Sequence, residues 1–260
     1  MDINQLSFIL AILTAIASGL VGSFALMRRM TLAGDALSHV ALPGIGIALL
    51  LSYNPVLGAA LSLVLGVIIV WSVEKVSHLN TEAIIGVLFA FSLAIGAVAI
   101  GVDHELVETL FGGGTSITGT EFIFGAAVAV GVISFIIVNR RSLVISLVSK
   151  ELAKTASVPT ERLQFLFLVT FALTVLLGLK FLGVLLMGSL IIIPAAAARN
   201  LAHNLQSMLM LASATALLSM LLGMFIAGTT HTQLGPTIII IASSFFALSI
   251  FLRPIMQQRV

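Results

Sequence analysis

The stretch RLQFLFLVTFALTVLLGLKFLGVLLMGSLIIIPAAAAR, residues 162–199, sets two long apolar runs on either side of a single lysine, Lys180. Each run has the composition of a membrane-spanning helix, and they are joined so tightly that one member reads as short or re-entrant. Scanning outward for apolar runs of about 17 to 25 residues gives nine candidate spans. They are 5–27, 34–52, 55–74, 83–102, 120–138, 162–179, 181–198, 205–228 and 235–252. Fusing the 162–198 pair leaves eight. Composition agrees with this reading: of 260 residues, 60% are hydrophobic and 8% charged, and the mean hydropathy is +1.23. These values exclude a soluble domain and predict an all-α, polytopic membrane protein of eight to nine spans.

Residues 1–260 read as a single domain, because no hydrophilic block is long enough for a second one. The chain has no cysteine, hence no disulfide framework and no thiolate metal site. A formal net charge of +2 is too small to suggest nucleic acid as a partner. The apolar N-terminus lacks a basic leader region and a clear cleavage site, so it is read as the first span. Gly22, Gly44, Gly46, Gly96, Gly183 and Gly188 punctuate the spans, as expected where helices approach closely in lipid.

Basic residues are retained on the cytoplasmic side of a membrane. Nine alternating spans put Arg28, Arg29, Lys75, Arg140, Arg141, Lys150, Lys154, Arg162, Arg199, Arg253 and Arg259 on one side and only Lys180 on the other. This predicts a cytoplasmic C-terminus and an external N-terminus, and it supports nine spans over eight. The external loop between Asp103 and Thr120 carries Asp103, Glu105 and Glu108 but no Lys or Arg. His104 with Asp103 and Glu105 could offer a weak metal contact there, although a loop that meets an external protein is favoured. His78, His203 and His231 also fall in or beside loops, and Pro194 is expected to kink or end its span near the cytoplasm.

Two features stand apart from this apolar background. In GDALSHVALPG, residues 34–44, Asp35 and His39 lie four positions apart and so share one helix face. A central Asp costs roughly 2.5 to 3.5 kcal/mol on insertion scales, which makes function the default explanation. A simpler reading has Asp35 capping the helix and His39 bonding a neighbouring helix. The second feature is the long cytoplasmic segment of about residues 140–161, which includes SKELAKTASVP (149–159). There Ser149 can cap a short helix over 150–156, and Pro159 suits the start of the next one. That short helix reads either as an interfacial amphipathic element or as one seated in a groove on a soluble partner.

Several stretches together carry a resemblance. SFALMRRMTLAGDALSHVALPGIGIALLL (23–51), TEAIIGVLFAFSLAIG (81–96), ETLFGG (108–113), KFLGVLLMGSLIIIPAAAARNLA (180–202) and GPTIII (235–240) occur in order along the chain. With them the sequence resembles the zinc and manganese ABC-importer permeases, the membrane subunits of bacterial metal-uptake systems. The resemblance implies a type II ABC importer permease fold in the inner membrane. It also implies a two-fold homodimer seated on ATP-binding subunits and an extracytoplasmic protein that delivers the ion. Asp35 and His39 match the family's D-x-x-x-H, associated with the metal path, and two copies would supply an Asp2His2 set suited to Zn²⁺ or Mn²⁺.

By the same resemblance, Ser149, Lys150, Glu151, Leu152, Ala153 and Ala156 belong to the segment that couples to the ATPase. Ser149 stands there in place of a capping Asp, and Ser157 in place of a Gly that suits a left-handed helix end. No permanently bound cofactor is implied. The transported ion is expected to be Zn²⁺, with Mn²⁺ and Fe²⁺ as alternatives, and the zinc branch is favoured by WSVEKVSHLNTEAIIG (71–86) and the 180–199 stretch. The chain contains no G-x-x-x-x-G-K-[ST] loop, so it is not expected to be an enzyme, and ATP hydrolysis falls to a partner. Two rival readings are a secondary metal transporter and a membrane-embedded metal enzyme. The first lacks the paired broken helices or inverted repeats usual in that class, and the second lacks a compact ligand cluster.

Overall fold

The computed structural model describes residues 3–77, 79–99, 117–148 and 150–257, and these are helical apart from short connections. The helices are α1 (Ile3–Met27), α2 (Ala33–Leu50), α3 (Pro55–Val76), α4 (Thr81–Ala99), α5 (Gly119–Val148), α6 (Lys150–Thr155), α7 (Thr160–Leu201), α8 (Leu205–Thr230) and α9 (Leu234–Gln257). Local sequence accounts for several of their starts. Asn54 accepts the Val56 N–H at 2.9 Å ahead of Pro55, and Asn204 and Ser207 form a reciprocal capping box at the head of α8.

Side-chain contacts give each helix its direction. Arg28, just past α1, bonds Gln164 near the start of α7 and Ser146 near the end of α5. Lys75 at the end of α3 pairs with Glu161 at 2.9 Å, and Thr81 at the start of α4 bonds Glu74 at 2.9 Å. All these helix ends therefore share one side of the molecule. At the opposite side, Lys180 pairs with Glu121 in the first turn of α5 at 2.6 Å. Helix α8 runs antiparallel to α1: Met208 near its start clusters with Leu26 and Ala198, whereas Ser213 bonds the Ile16 carbonyl farther along. The end of α7 has thus returned to the Arg28 side, where Asn200 bonds Ser249 of α9 at 2.9 Å.

Both ends of the 42-residue α7 lie on one side, so the helix must reverse. As one straight rod it would reach about 63 Å, twice the thickness of a hydrocarbon core. The break is at Gly183, whose φ of 70° and ψ of 178° suit glycine alone, and Met187 folds back against Gly178. The tightly joined pair in the sequence is therefore a broken helix with two arms. Of the two outcomes expected at Pro194, a kink or an end, the second does not occur, since the helix runs on to Leu201. Neighbouring helices in lipid compensate for a missing backbone donor, so proline is tolerated there.

Seven helical stretches are long and apolar enough to cross a membrane, and two shorter apolar ones, Thr81–Ile95 and Leu186–Leu201, complete the set among the described residues. Arg28, Lys75, Arg162 and Arg199 lie at or beside helix ends on one side, with Arg140 in the last third of α5 towards that side and Lys180 on the other. Helix α7 forms the centre, with α2 and α3 on one flank and α1, α5, α8 and α9 on the other. Phe24, Phe167, Phe171 and Phe181 are fully buried there. Large apolar side chains such as Leu57, Ile123 and Phe225 point outward from α3, α5 and α8, as a lipid-facing surface requires.

Close helix contacts rest on small residues. Gly44 and Gly58 place α2 and α3 backbone to backbone, and a side chain on either would run into the carbonyl of the other. Helix ends use a different device. Arg29, Ser52 and Ser157, all with φ near +55 to +60°, follow α1, α2 and α6 in the left-handed conformation. In each case the next N–H closes back on the helix: Met30 on Ala25 (2.9 Å), Tyr53 on Ala48 (2.8 Å) and Val158 on Ala153 (2.9 Å). This is the Schellman closure usually built on glycine, so serine at 157 preserves the turn that the sequence put in question.

Two outcomes follow for purified protein. Gly58→Leu should lower the thermal midpoint, by an overpacking cost of about 1 to 3 kcal/mol or more, and an unchanged midpoint would contradict the α2–α3 packing. At Ser157 the left-handed strain of about 1 to 2 kcal/mol exceeds the extra unfolded-state entropy of glycine, about 0.5 to 1 kcal/mol. Ser157→Gly should therefore hold or raise the midpoint while Ser157→Val lowers it, and the reverse order would contradict the assigned turn.

Candidate functional site

The first turn of α2 presents Asp35, and the next presents His39. Helix α2 begins after Leu32 without a side-chain cap, so Asp35 does not cap it, and its carboxylate has no hydrogen bond or ion pair among the described residues. What it does gain is the positive end of the helix dipole. The backbone here lies directly on the second arm of α7: a Cβ on Gly34 would be 3.2 Å from the Gly188 Cα, and one on Gly188 would strike the Asp35 backbone. Two facing glycines thus fix where the Asp35 side chain leaves the helix. Ser38 bonds the Gly34 carbonyl at 2.8 Å and keeps its own hydroxyl inside the helix.

Asp35 is exposed on the surface of the protomer, whereas His39 is only 8% exposed. The His39 ring meets the edge of Phe89 on α4, with centroids 5.0 Å apart and planes at 69°. Its Nδ1 is buried and has no hydrogen-bond partner among the described residues. In the simpler reading this histidine bonds a neighbouring helix; its Nδ1 makes no such bond among the described residues. Pro43 stands a further four residues along the same face, and without an N–H it cannot bond the His39 carbonyl. Carboxylate, imidazole and a carbonyl free of that helical bond consequently lie on one stripe of α2.

The depth of the pair follows from its neighbours. Ser62, near the middle of α3, donates to the Val40 carbonyl at 2.5 Å, so His39 lies well inside the span and Asp35 one turn nearer the Arg28 side. Among the described residues no three His, Asp or Glu side chains converge, so one protomer offers this pair and no larger cluster.

The other expected residues are distributed as follows. Ser149 and the external trio Asp103, His104 and Glu105 lie outside the described residues. Lys150, Glu151, Leu152, Ala153 and Ala156 fall on or beside α6, a helix of six residues. Ala153 was expected on a contact surface for a partner, but it is wholly buried within its own protomer. It seats α6 against the neighbouring helices, and among the described side chains there Glu151, Thr155 and Ala156 are exposed.

Sequence reading missed a polar chamber of about 790 Å³ on the Arg28 side, bordered by Arg28, Arg29, Glu74, Lys75, Glu161 and Gln164. The basic residues entered the sequence argument only as markers of sidedness. The available signal was the recurrence of Glu beside them, at 74, 82 and 161. Burial lowers Arg28 to about 10, partly opposed by Glu74, so the guanidinium stays cationic at neutral pH.

Comparison with known proteins gives this geometry a context. The profile of the ABC 3 transport family matches residues 1–253. The chain is 33% identical over 252 residues to the high-affinity zinc uptake system membrane protein ZnuB of Haemophilus influenzae, covering 94% of this chain and 96% of that one. It is 30% identical over 253 residues to the manganese import system permease protein ScaB of Streptococcus parasanguinis, covering 96% and 90%. Among solved structures, PsaBC from Streptococcus pneumoniae in complex with Fab superposes with a TM-score of 0.84 at 30% identity, over 99% of this chain and 94% of that one. A bundle with seven membrane-length helices among the described residues, a carboxylate and a buried imidazole on its second helix, and full-length similarity converge on one conclusion: the chain is a multi-pass transport permease and belongs to the ABC 3 transport family.

Proposed function

We propose that this protein is the membrane-spanning permease of a bacterial ABC importer for divalent metal ions, with Zn²⁺ as the preferred cargo. The observation that carries the reading is the Asp35–His39 pair. It places an unpaired carboxylate and an imidazole with a free buried nitrogen inside an apolar span. Such a pair is costly unless something binds it. One protomer supplies two donors, and a second copy related by a two-fold axis completes an Asp2His2 set. Four nitrogen and oxygen donors suit tetrahedral Zn²⁺, and Mn²⁺ accepts the same donors with added oxygen. Similarity to permeases named for zinc uptake and for manganese import supports both ions. The equal share of imidazole tips the choice to zinc.

In this reading the exposed face of α2 lies at the homodimer axis, and rigid-body motion of the protomers opens and closes the set. The side rich in Arg and Lys faces the cytoplasm, which puts the N-terminus outside and the C-terminus inside the inner membrane. Helix α6 then docks onto a cytoplasmic ATP-binding subunit through its exposed Glu151, Thr155 and Ala156, and the Ser149 and Leu152 positions complete that contact. A separate extracytoplasmic protein delivers the ion, and the loop containing Asp103, His104 and Glu105 is its landing site.

Asp35→Asn and His39→Ala should each abolish radiometal uptake in proteoliposomes while leaving co-purification with the ATP-binding subunit intact. Wild-type uptake in both variants would refute the gate. For the cargo, competition among Zn²⁺, Mn²⁺ and Fe²⁺ during uptake should show Zn²⁺ as the strongest competitor. Stronger competition by Mn²⁺ would reassign the ion without touching the site.

A further inference from the structure

Arg28 joins three parts of the molecule that a transport cycle has to move together. It stands between Met27, the last residue of α1, and Arg29, whose left-handed turn sends the chain into α2. Its guanidinium donates to the Gln164 side-chain oxygen Oε1 on α7 and to Ser146 Oγ on α5 at 3.3 Å. It also lies 4.5 Å over the ring of Phe167, which is fully buried and packs edge-on against Phe171 at 6.3 Å. Ser146 is only four residues ahead of Lys150, where α6 starts, and it anchors its own hydroxyl on the Leu143 carbonyl at 2.7 Å.

The path from Arg28 to Asp35 is short and stiff. Met30 bonds back to Ala25 at 2.9 Å, Ala33 to Met30 at 3.3 Å, and Gly34 lies on Gly188. A displacement of the α5–α6 junction must therefore either break the Arg28 bonds or move the start of α2. Charge-assisted bonds from one rigid fork favour the second outcome, because a planar guanidinium holding two acceptors at once loses both when it slips.

The same chamber contains an unmade contact. Among the described residues Arg28 Nε and Glu74 Oε2 are both buried without a hydrogen-bond partner, although the two charges already feel each other. Each atom thus has an unused bonding position in the same chamber. This defines two arrangements of one charged group: on Ser146 and Gln164, as seen here, or paired with Glu74 at the end of α3.

We propose that Arg28 is a positioning residue that couples α6 to the Asp35–His39 face of α2 by exchanging Ser146 and Gln164 for Glu74. The proposal rests on the ABC-importer reading above. Coupling of this kind requires an element with two discrete states biased from both ends, which the Ser146/Gln164 and Glu74 arrangements would provide.

The test uses the complete transporter in proteoliposomes with its delivering protein, and measures Zn²⁺ uptake and ATP hydrolysis in the same preparation. Arg28→Met, Glu74→Gln and the double change Ser146→Ala with Gln164→Ala should each lower ions moved per ATP by about tenfold, with hydrolysis near the wild-type rate. Arg28→Lys keeps the charge but not the fork and should fall between. A wild-type ratio in Glu74→Gln or in the double variant would overturn the proposal, as would a parallel loss of uptake and hydrolysis in all variants. If Arg28→Met fails to assemble, the double variant and Glu74→Gln decide. Absence of ATP-dependent uptake in the unaltered protein would instead refute the importer reading itself.

Discussion

A carboxylate inside an apolar helix needs a counterpart, and Asp35 has no hydrogen bond or ion pair among the described residues of its own protomer. That imbalance shapes the rest of the account. Positive dipole at the start of α2 offsets part of the cost, and exposure of the side chain on the protomer surface avoids complete burial. His39, one turn deeper, adds a nitrogen with no partner of its own. In the proposed dimer the two copies meet at this face, and a divalent ion supplies the missing charge. An empty set is then unstable enough to take an ion and, when the halves separate, unable to keep it.

Placing the pair so well depends on backbone contacts more than on side chains. Gly34 against Gly188 and Gly44 against Gly58 lock α2 between the second arm of α7 and α3. Lipid offers no hydrophobic drive for helix association, so close approach has to come from shape, and the smallest residues give the closest approach. The second arm of α7 is available for this contact only because the helix reverses at Gly183. One left-handed glycine in the middle of a continuous apolar stretch thus decides both the number of passes and the setting of the site.

Much of this was legible in the sequence, for identifiable reasons. Apolar runs and the distribution of Arg and Lys report burial in lipid directly, which is why the expected spans overlap α1 to α5 and α7 to α9, with two of them sharing α7. The i, i+4 spacing of Asp35 and His39 fixed their common face without reference to any neighbour. Other features depend on partners distant in sequence and left no local trace. Nothing about Ala153 marks it as buried rather than exposed, because a six-residue helix can turn either face inward. The continuation of α7 past Pro194 depends on packing that no local rule contains. Arg28 was legible as a charge at a helix end, but its contacts with Ser146 and Gln164 span more than a hundred residues. Ser157 shows the limit of residue-type rules, since a serine adopts the turn that glycine would fill more easily.

The central claim is that Asp35 of one protomer faces Asp35 of a second. The chain has no cysteine, so Asp35→Cys introduces a single reactive thiol into an otherwise silent background. Cross-linking of this variant with a short thiol-specific bifunctional reagent, in membranes that also contain the ATP-binding subunit, tests the claim most directly. The account predicts a covalent dimer for Asp35→Cys, and none for Phe225→Cys on the lipid-facing side of α8. A monomer at position 35, with a dimer at position 225, would contradict it.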